Sequence, residues 1–306
     1  MKKFAAVIAG ITLIMVLSMI NGSSLCAAEE LSSIKIKRIE DAIEQLENPA
    51  RGVQRKGYKE IKYIGPQSVP YLVKELKNKA IGFESLVLIC DILGEYKAKE
   101  AVPGLLYNLK SQSFTLQAAA CKALGNIGDD AAVEPLIKML KSEEHSVRKE
   151  AIDALINFNN AKIPSVVAGL LKDENEEVRV SAVTLLDNKL DPGTAGAVRE
   201  AVEKDKANSI RMIAAKTLGG LKDGEAVNIL TEVLIEDPGE GVRKETAVAL
   251  GKIGDQKAVP VLIEALKDDY KDVQLAAASS LTTLTGEDFN RDYEGWSEWY
   301  EKQGAN

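Results

Sequence analysis

The sequence predicts an all-α fold, an α-α superhelix of about eight stacked helix pairs closed by a C-terminal aromatic cap. Three observations carry that expectation: a spacing that recurs roughly every 32 residues, helical periodicity inside each block, and glycine and proline where the blocks meet. No run alternates apolar and polar residues with period two, so strands are not needed.

The recurring unit opens on a small apolar residue. Val69, Val102, Val133, Ile163, Ala195, Val227 and Val259 are separated by 33, 31, 30, 32, 32 and 32 residues. Each keeps apolar partners three and seven positions on, as in Val133, Leu136 and Leu140. These are helical spacings, so each block starts with an amphipathic helix. About fourteen residues after most anchors a second pattern begins: Val147, Ala151 and Leu155, then Val178, Ala182 and Leu186, Ile210, Ala214 and Leu218, and Val242, Thr246 and Leu250. Val53, Gly57 and Ile61 fit the same template and imply a degenerate earlier helix carrying Ile39, Ala42 and Leu46. The array then runs from about Ser33 to Thr285.

Punctuation agrees with periodicity. In Leu250-Gly251-Lys252-Ile253-Gly254-Asp255, Gly254 is placed to take the left-handed conformation and Asp255 to cap the next element. Pro70, Pro103, Pro164 and Pro260 stand near helix starts, where a missing amide costs little. A helix pair of this length cannot bury both apolar faces alone, so neighbours must stack. Ala120, Ala151, Ala182, Ala214 and Ala277 recur at one site of the second helix and permit close approach.

The repeated phrase, Ala-Val-Pro-x-Leu-Leu-x-x-Leu then Val-Arg-x-x-Ala-x-x-Ala-Leu-Gly-x-Ile-Gly-Asp, resembles the HEAT-like (armadillo-type) repeats named after phycobilin lyases. The resemblance implies a solenoid and, with no catalytic, metal or cofactor residues expected, a scaffold that docks a protein or peptide. It places the partner surface on exposed positions of the second helices, such as Lys149, Glu150, Val180, Lys244 and Glu245. A lyase-like enzyme or subunit handling a prosthetic group is the alternative. Deoxyhypusine hydroxylase shares such repeats, but its di-iron site needs repeated His-Glu pairs. This chain has one histidine, His145, and no His-Glu step, so that activity does not transfer.

The remaining features divide between structure and recognition. Asp173, Asp205, Asp237 and Asp269 are spaced by 32 residues, as are Arg179, Arg211 and Arg243, with Arg148 lying 31 before Arg179. A guanidinium forks readily onto a carboxylate, so this ladder is expected to pin the turns of helix pairs; a stripe awaiting a partner is the competing reading. Cys90 and Cys121 fall at equivalent sites of neighbouring helices and are expected as two buried small residues, a disulfide being the alternative. His145, at the start of a second helix, is expected in a solvated capping role. Trp296, Trp299 and Tyr300 share one face of a terminal helix, expected to seal the solenoid end, with Trp296 and Trp299 also candidates for partner contact.

Residues 1–28 have the layout of a cleaved secretory signal: Lys2 and Lys3, an apolar run from Phe4 to Ile20, and cleavage expected after Ala28. A lipid on Cys26 and an uncleaved anchor are the alternatives, and these are the only membrane link expected. All three place the rest outside the cytoplasm, periplasmic or secreted. The division expected is thus 1–28 leader, 29–286 solenoid and 287–306 cap. With 45% hydrophobic but 5% aromatic residues, the core is expected to be small and aliphatic, and a net charge of −7 argues against nucleic acid.

Overall fold

The computed structural model describes residues 33–304; the leader, with its cleaved, lipidated and anchored alternatives, lies outside them. Helix α1 covers 33–47. It is followed by α2 (Arg51–Ile64), α3 (Val69–Glu75), α4 (Phe83–Glu95), α5 (Val102–Asn108), α6 (Phe114–Ile127), α7 (Val133–Met139) and α8 (His145–Leu155). The series continues through α9 (Lys162–Ala168), α10 (Glu176–Lys189), α11 (Ala195–Lys204), α12 (Asn208–Leu221), α13 (Val227–Glu236), α14 (Glu240–Ile253), α15 (Val259–Glu264), α16 (Lys271–Thr285) and α17 (Tyr293–Gly304). Odd and even helices pair from α1–α2 to α15–α16, giving eight pairs, and α17 stands alone. No strand occurs among the described residues.

The anchors Val69, Val102, Val133, Ala195, Val227 and Val259 are each the first residue of an odd-numbered helix. The fourth anchor needs a correction of one residue. Val166, three after Ile163, is 39% exposed, whereas Val167 is wholly buried, so Pro164, Val167 and Leu171 form the inward row. Gly128, Gly254 and Gly286 take left-handed conformations at the ends of α6, α14 and α16. Asp255 then accepts the Lys257 amide at 2.9 Å, and Asp129 accepts that of Ala131 at 3.0 Å, each starting a short 3-10 turn that leads into the next helix.

Even helices stack on one another far more closely than odd helices do. Small residues make this possible. A Cβ added at Gly94 would lie 2.8 Å from the Cα of Ala123, at Gly125 2.6 Å from that of Ala154, and at Gly219 2.7 Å from that of Ala249. The tighter row of a curved stack lies on its inner side, so the even helices line the concave face. Two joints beyond α4 depart from this, and α2 also stands off from α4. At the position of Gly125, α8 presents Ile156 and α10 presents Asp187, and α8 stops a turn early at Leu155, with Phe158 buried behind it. Helix α10 therefore stands further from α8 and α12 than the even helices within α4–α8 and within α12–α16 stand from one another. Lys189 spans the first gap, donating to the carbonyls of Ile156 and Phe158 at 2.8 Å each.

Helix α17 closes the C-terminal end against α15. Trp296 is fully buried, meets Phe289 and Trp299 edge-on at centroid distances of 5.0 and 5.8 Å, and donates its indole N–H to the Asn290 carbonyl at 3.0 Å. Replacing a buried ring of this size leaves a cavity worth about 3–5 kcal/mol. Trp296→Ala is accordingly expected to lower the unfolding midpoint and loosen the last pair, as urea titration would show; an unchanged midpoint would mean that α17 does not seal the core.

Candidate functional site

The charged ladder occupies the edge where each odd helix turns into its even partner. The turns share a device that the sequence spacing conceals. In every pair one polar side chain accepts the amide two residues on: Asn48 from Ala50, Asn78 from Ala80, Ser111 from Ser113, Ser142 from Glu144, Asp173 from Asn175, Asp205 from Ala207, Asp237 from Gly239 and Asp268 from Tyr270. Where that residue is Asp, its carboxylate also receives the guanidinium of the preceding pair. Arg148 holds Asp173 through Nε and Nη2 at 2.8 Å each. Arg179 holds Asp205 at 2.7 and 3.2 Å, Arg211 holds Asp237 at 2.6 and 2.9 Å, and Arg243 holds Asp268 at 2.7 and 3.0 Å.

The third nitrogen, Nη1, reaches back to the arginine's own turn. It donates to the Ser142 carbonyl from Arg148, and to those of Asp173, Asp205 and Asp237 from the next three. Asp173, Asp205 and Asp237, six residues before Arg179, Arg211 and Arg243, thus give those arginines only a backbone oxygen. Asp and Arg alternate in one hydrogen-bonded line across five repeats. Gln117 and Gln274 occupy the arginine position at either end, donating to the Ser111 and Asp268 carbonyls, and Arg291 from the cap segment meets Gln274.

Asp268, not Asp269, completes the ladder. Helices α11 and α13 have ten α-helical residues before their aspartate, whereas α15 has six followed by a three-residue 3-10 turn, Ala265–Lys267. At about 1.5 Å rise per α residue and about 2.0 Å per 3-10 residue, both routes climb about 15 Å. The same height is reached one residue sooner.

Burial of Asp173 and Asp268 alone would push their carboxyls up, but the arginine bonds and the turn amides outweigh it and hold both below the usual carboxylate range. A depressed carboxyl contributes stability that is complete above its unfolded value, about 3.9, and is lost as pH falls through the lower folded value. The unfolding midpoint is therefore expected to drop below about pH 4. Arg148→Met with Asp173→Asn is expected to flatten that drop; a variant as acid-sensitive as the parent would assign the effect elsewhere.

The expected partner surface is more recessed than the sequence implies. Lys149, Val180 and Lys244 occupy one row of the even helices, one position after the ladder arginines, but they are half-buried, not freely exposed, as are Glu150 and Glu245. Lys149 is also engaged by Asp153 at 2.8 Å and by Glu150 at 3.4 Å. The row gains two members that spacing did not single out, Met212 and Leu275, which are 36% and 47% exposed. Lys244, Val248, Leu275 and Ala276 line an open groove of about 530 Å³ between α14 and α16 on this concave face. Trp296 is withdrawn from the partner surface, since it lies inside the cap; Trp299 is only partly buried and packs against the core.

The remaining candidates carry no reactive geometry. Cys90 and Cys121 are buried and unpaired, and burial pushes both thiols up to about 12. His145 is the first residue of α8, with Nδ1 3.4 Å from a Glu144 carboxylate oxygen, and the cap of α8 is Glu144 itself, which accepts the Ser146 amide. Among the described residues no group of three His, Cys, Asp or Glu side chains is placed to hold a metal ion, and no helix is long and apolar enough to cross a membrane.

The family model for HEAT repeats matches three stretches, residues 84–156, 163–243 and 210–282, which together span more than half of the chain. This chain belongs to the HEAT-repeat family. YibA of Escherichia coli has a similar fold, with a TM-score of 0.63 at 20% identity over 84% of this chain and 97% of its own. An engineered protein aligns with a TM-score of 0.57 at 23% identity, covering 80% of this chain and 78% of its own. Human deoxyhypusine hydroxylase, solved with glycerol, covers 84% and 99% at 19% identity, but a TM-score of 0.38 leaves it too different in shape to bear on this HEAT array. No curated protein matches the sequence.

Proposed function

We propose that this HEAT-repeat chain is a non-catalytic scaffold that docks a protein or peptide on its concave face. The observation that carries this reading is the half-exposed apolar row of Val180, Met212 and Leu275, set between charged neighbours along the even helices. Apolar side chains left open on a concave, rigidly stacked surface offer area that a partner side chain can desolvate. The layout of residues 1–28 supports action outside the cytoplasm.

The test is affinity capture from intact cells with the parent and with a Met212→Asp, Leu275→Asp variant. A protein retained by the parent and lost from the folded variant is expected. The proposal fails if the variant retains the same proteins, or if the purified chain carries a bound coloured group.

A further inference from the structure

The first three repeats lack the ladder. The positions of the ladder arginines hold Gln54, Leu86 and Gln117, and the turn residues are Asn48, Asn78 and Ser111. Without a guanidinium bridging them, the turns of the second and third pairs leave a groove of about 470 Å³. Its floor is apolar, with Leu76, Ile81, Leu86 and Leu116 buried. Its rim carries Phe83 and Tyr107, which are 52% and 47% exposed, and the exposed lysines Lys77, Lys79 and Lys110. None of these three lysines makes an ion pair among the described residues.

Three features give this groove a sign. The turn segments 77–82 and 110–113 contain the three lysines and no Asp or Glu, whereas 172–177 and 236–240 are dominated by acids. The asymmetry extends along the chain: residues 33–112 hold 14 Lys and Arg against 10 Asp and Glu, while residues 113–306 hold 23 against 34. At the groove itself, α4 begins at Phe83 after Gly82, which supplies no side-chain cap, and the one carboxylate of its first turn, Glu84, is exposed and stands outside the groove lining, so the partly positive amino end is only partly offset. Asn108, only 3% exposed, lines the groove; its Nδ2 lies beside the Cys90 thiol and lacks an oxygen acceptor.

We infer that this turn-edge groove between the second and third repeats binds an acidic peptide segment bearing an apolar or aromatic anchor. The anchor would sit on the Ile81–Leu86–Leu116 floor between Phe83 and Tyr107, and flanking carboxylates would meet Lys77, Lys79 and Lys110. Paired opposite charges at a rim set orientation and on-rate, while the buried anchor supplies most of the affinity. The groove is separate from the concave row, so it stands whether or not that row binds.

The probe is a fluorescein-labelled peptide of glutamates around a central Leu-Phe pair, titrated by anisotropy against the whole protein, beside a lysine-for-glutamate control peptide. The acidic peptide is expected to bind, the control not, and added salt to weaken binding. Lys77→Glu, Lys79→Glu, Lys110→Glu together, all exposed, are expected to weaken it by about tenfold or more, and Phe83→Ala by several-fold. The Met212→Asp, Leu275→Asp variant is expected to bind it unchanged, which separates this site from the concave-face reading. Equal binding of both peptides, loss confined to the concave variant, or retention by the triple variant would overturn the inference. So would binding of phosphatidylserine vesicles without the peptide.

Discussion

Arg211→Ala is expected to destabilise the array by about 3 kcal/mol or more, because it strands the buried Asp237 carboxylate and leaves the Asp205 carbonyl without its donor. Surface ion pairs rarely matter at this level, being worth about 0–1 kcal/mol. The difference here is burial: both side chains are almost sealed from solvent, and the guanidinium has all three nitrogens engaged. Breaking one member is costly even where replacing both is nearly neutral. Arg211→Met with Asp237→Asn is therefore expected to recover most of the loss, since asparagine already closes the equivalent turns at Asn48 and Asn78. Urea unfolding of the three proteins checks both statements. An unchanged midpoint in Arg211→Ala, with binding lost, would return the ladder to the status of a partner surface.

Gly125→Leu is expected to be comparably damaging for a different reason. Helix propensity favours the substitution by about 1 kcal/mol. Against that, the new Cβ would meet the Cα of Ala154 at 2.6 Å and its Cβ at 2.7 Å, so the backbones of α6 and α8 must part. Overpacking of a tight core costs about 1–3 kcal/mol, and here the obstacle is main chain, which cannot rotate away. The net result is a lower midpoint and a wider stack, visible as an increased radius of gyration by small-angle scattering. Gly169→Ala, with open space around its Cβ, is the matched control and is expected to be neutral or slightly stabilising.

How much of this is legible from residues alone varies with the physics involved. Odd-helix starts such as Val133 and Val259 are plain, because a small apolar residue followed by proline or by helical spacing has few other uses. The turn ladder is visible only in part. Arg179, Arg211 and Arg243 repeat with one residue type, but the acceptor changes between Asn, Ser and Asp while performing the same turn closure. Residue spacing also cannot register a switch from α to 3-10 geometry, which is why Asp268 stands where spacing points to Asp269. Periodicity places Trp296 and Trp299 on one helical face without saying which side of that face meets the array. Val180, Lys149 and Lys244 fall on the accessible row, yet Met212 and Leu275 escape notice, since exposed apolar residues look like core in a string of letters. The groove between the second and third repeats is not legible at all: it is made by what the ladder leaves out.

The paired departures at α8–α10 and α10–α12 have a mechanical consequence. Backbone-to-backbone seating at Gly94, Gly125, Gly219 and Gly251 makes two stiff stretches, one from α4 to α8 and one from α12 to α16. Between them α10 is carried on side-chain contacts and on the reach of Lys189, whose long stem tolerates small rotations without losing its two carbonyls. Bending strain in such a rod concentrates where the section is weakest. Bending between the two stretches is therefore expected to concentrate at α10, so that the mouth of the array widens or narrows while each stretch keeps its own shape.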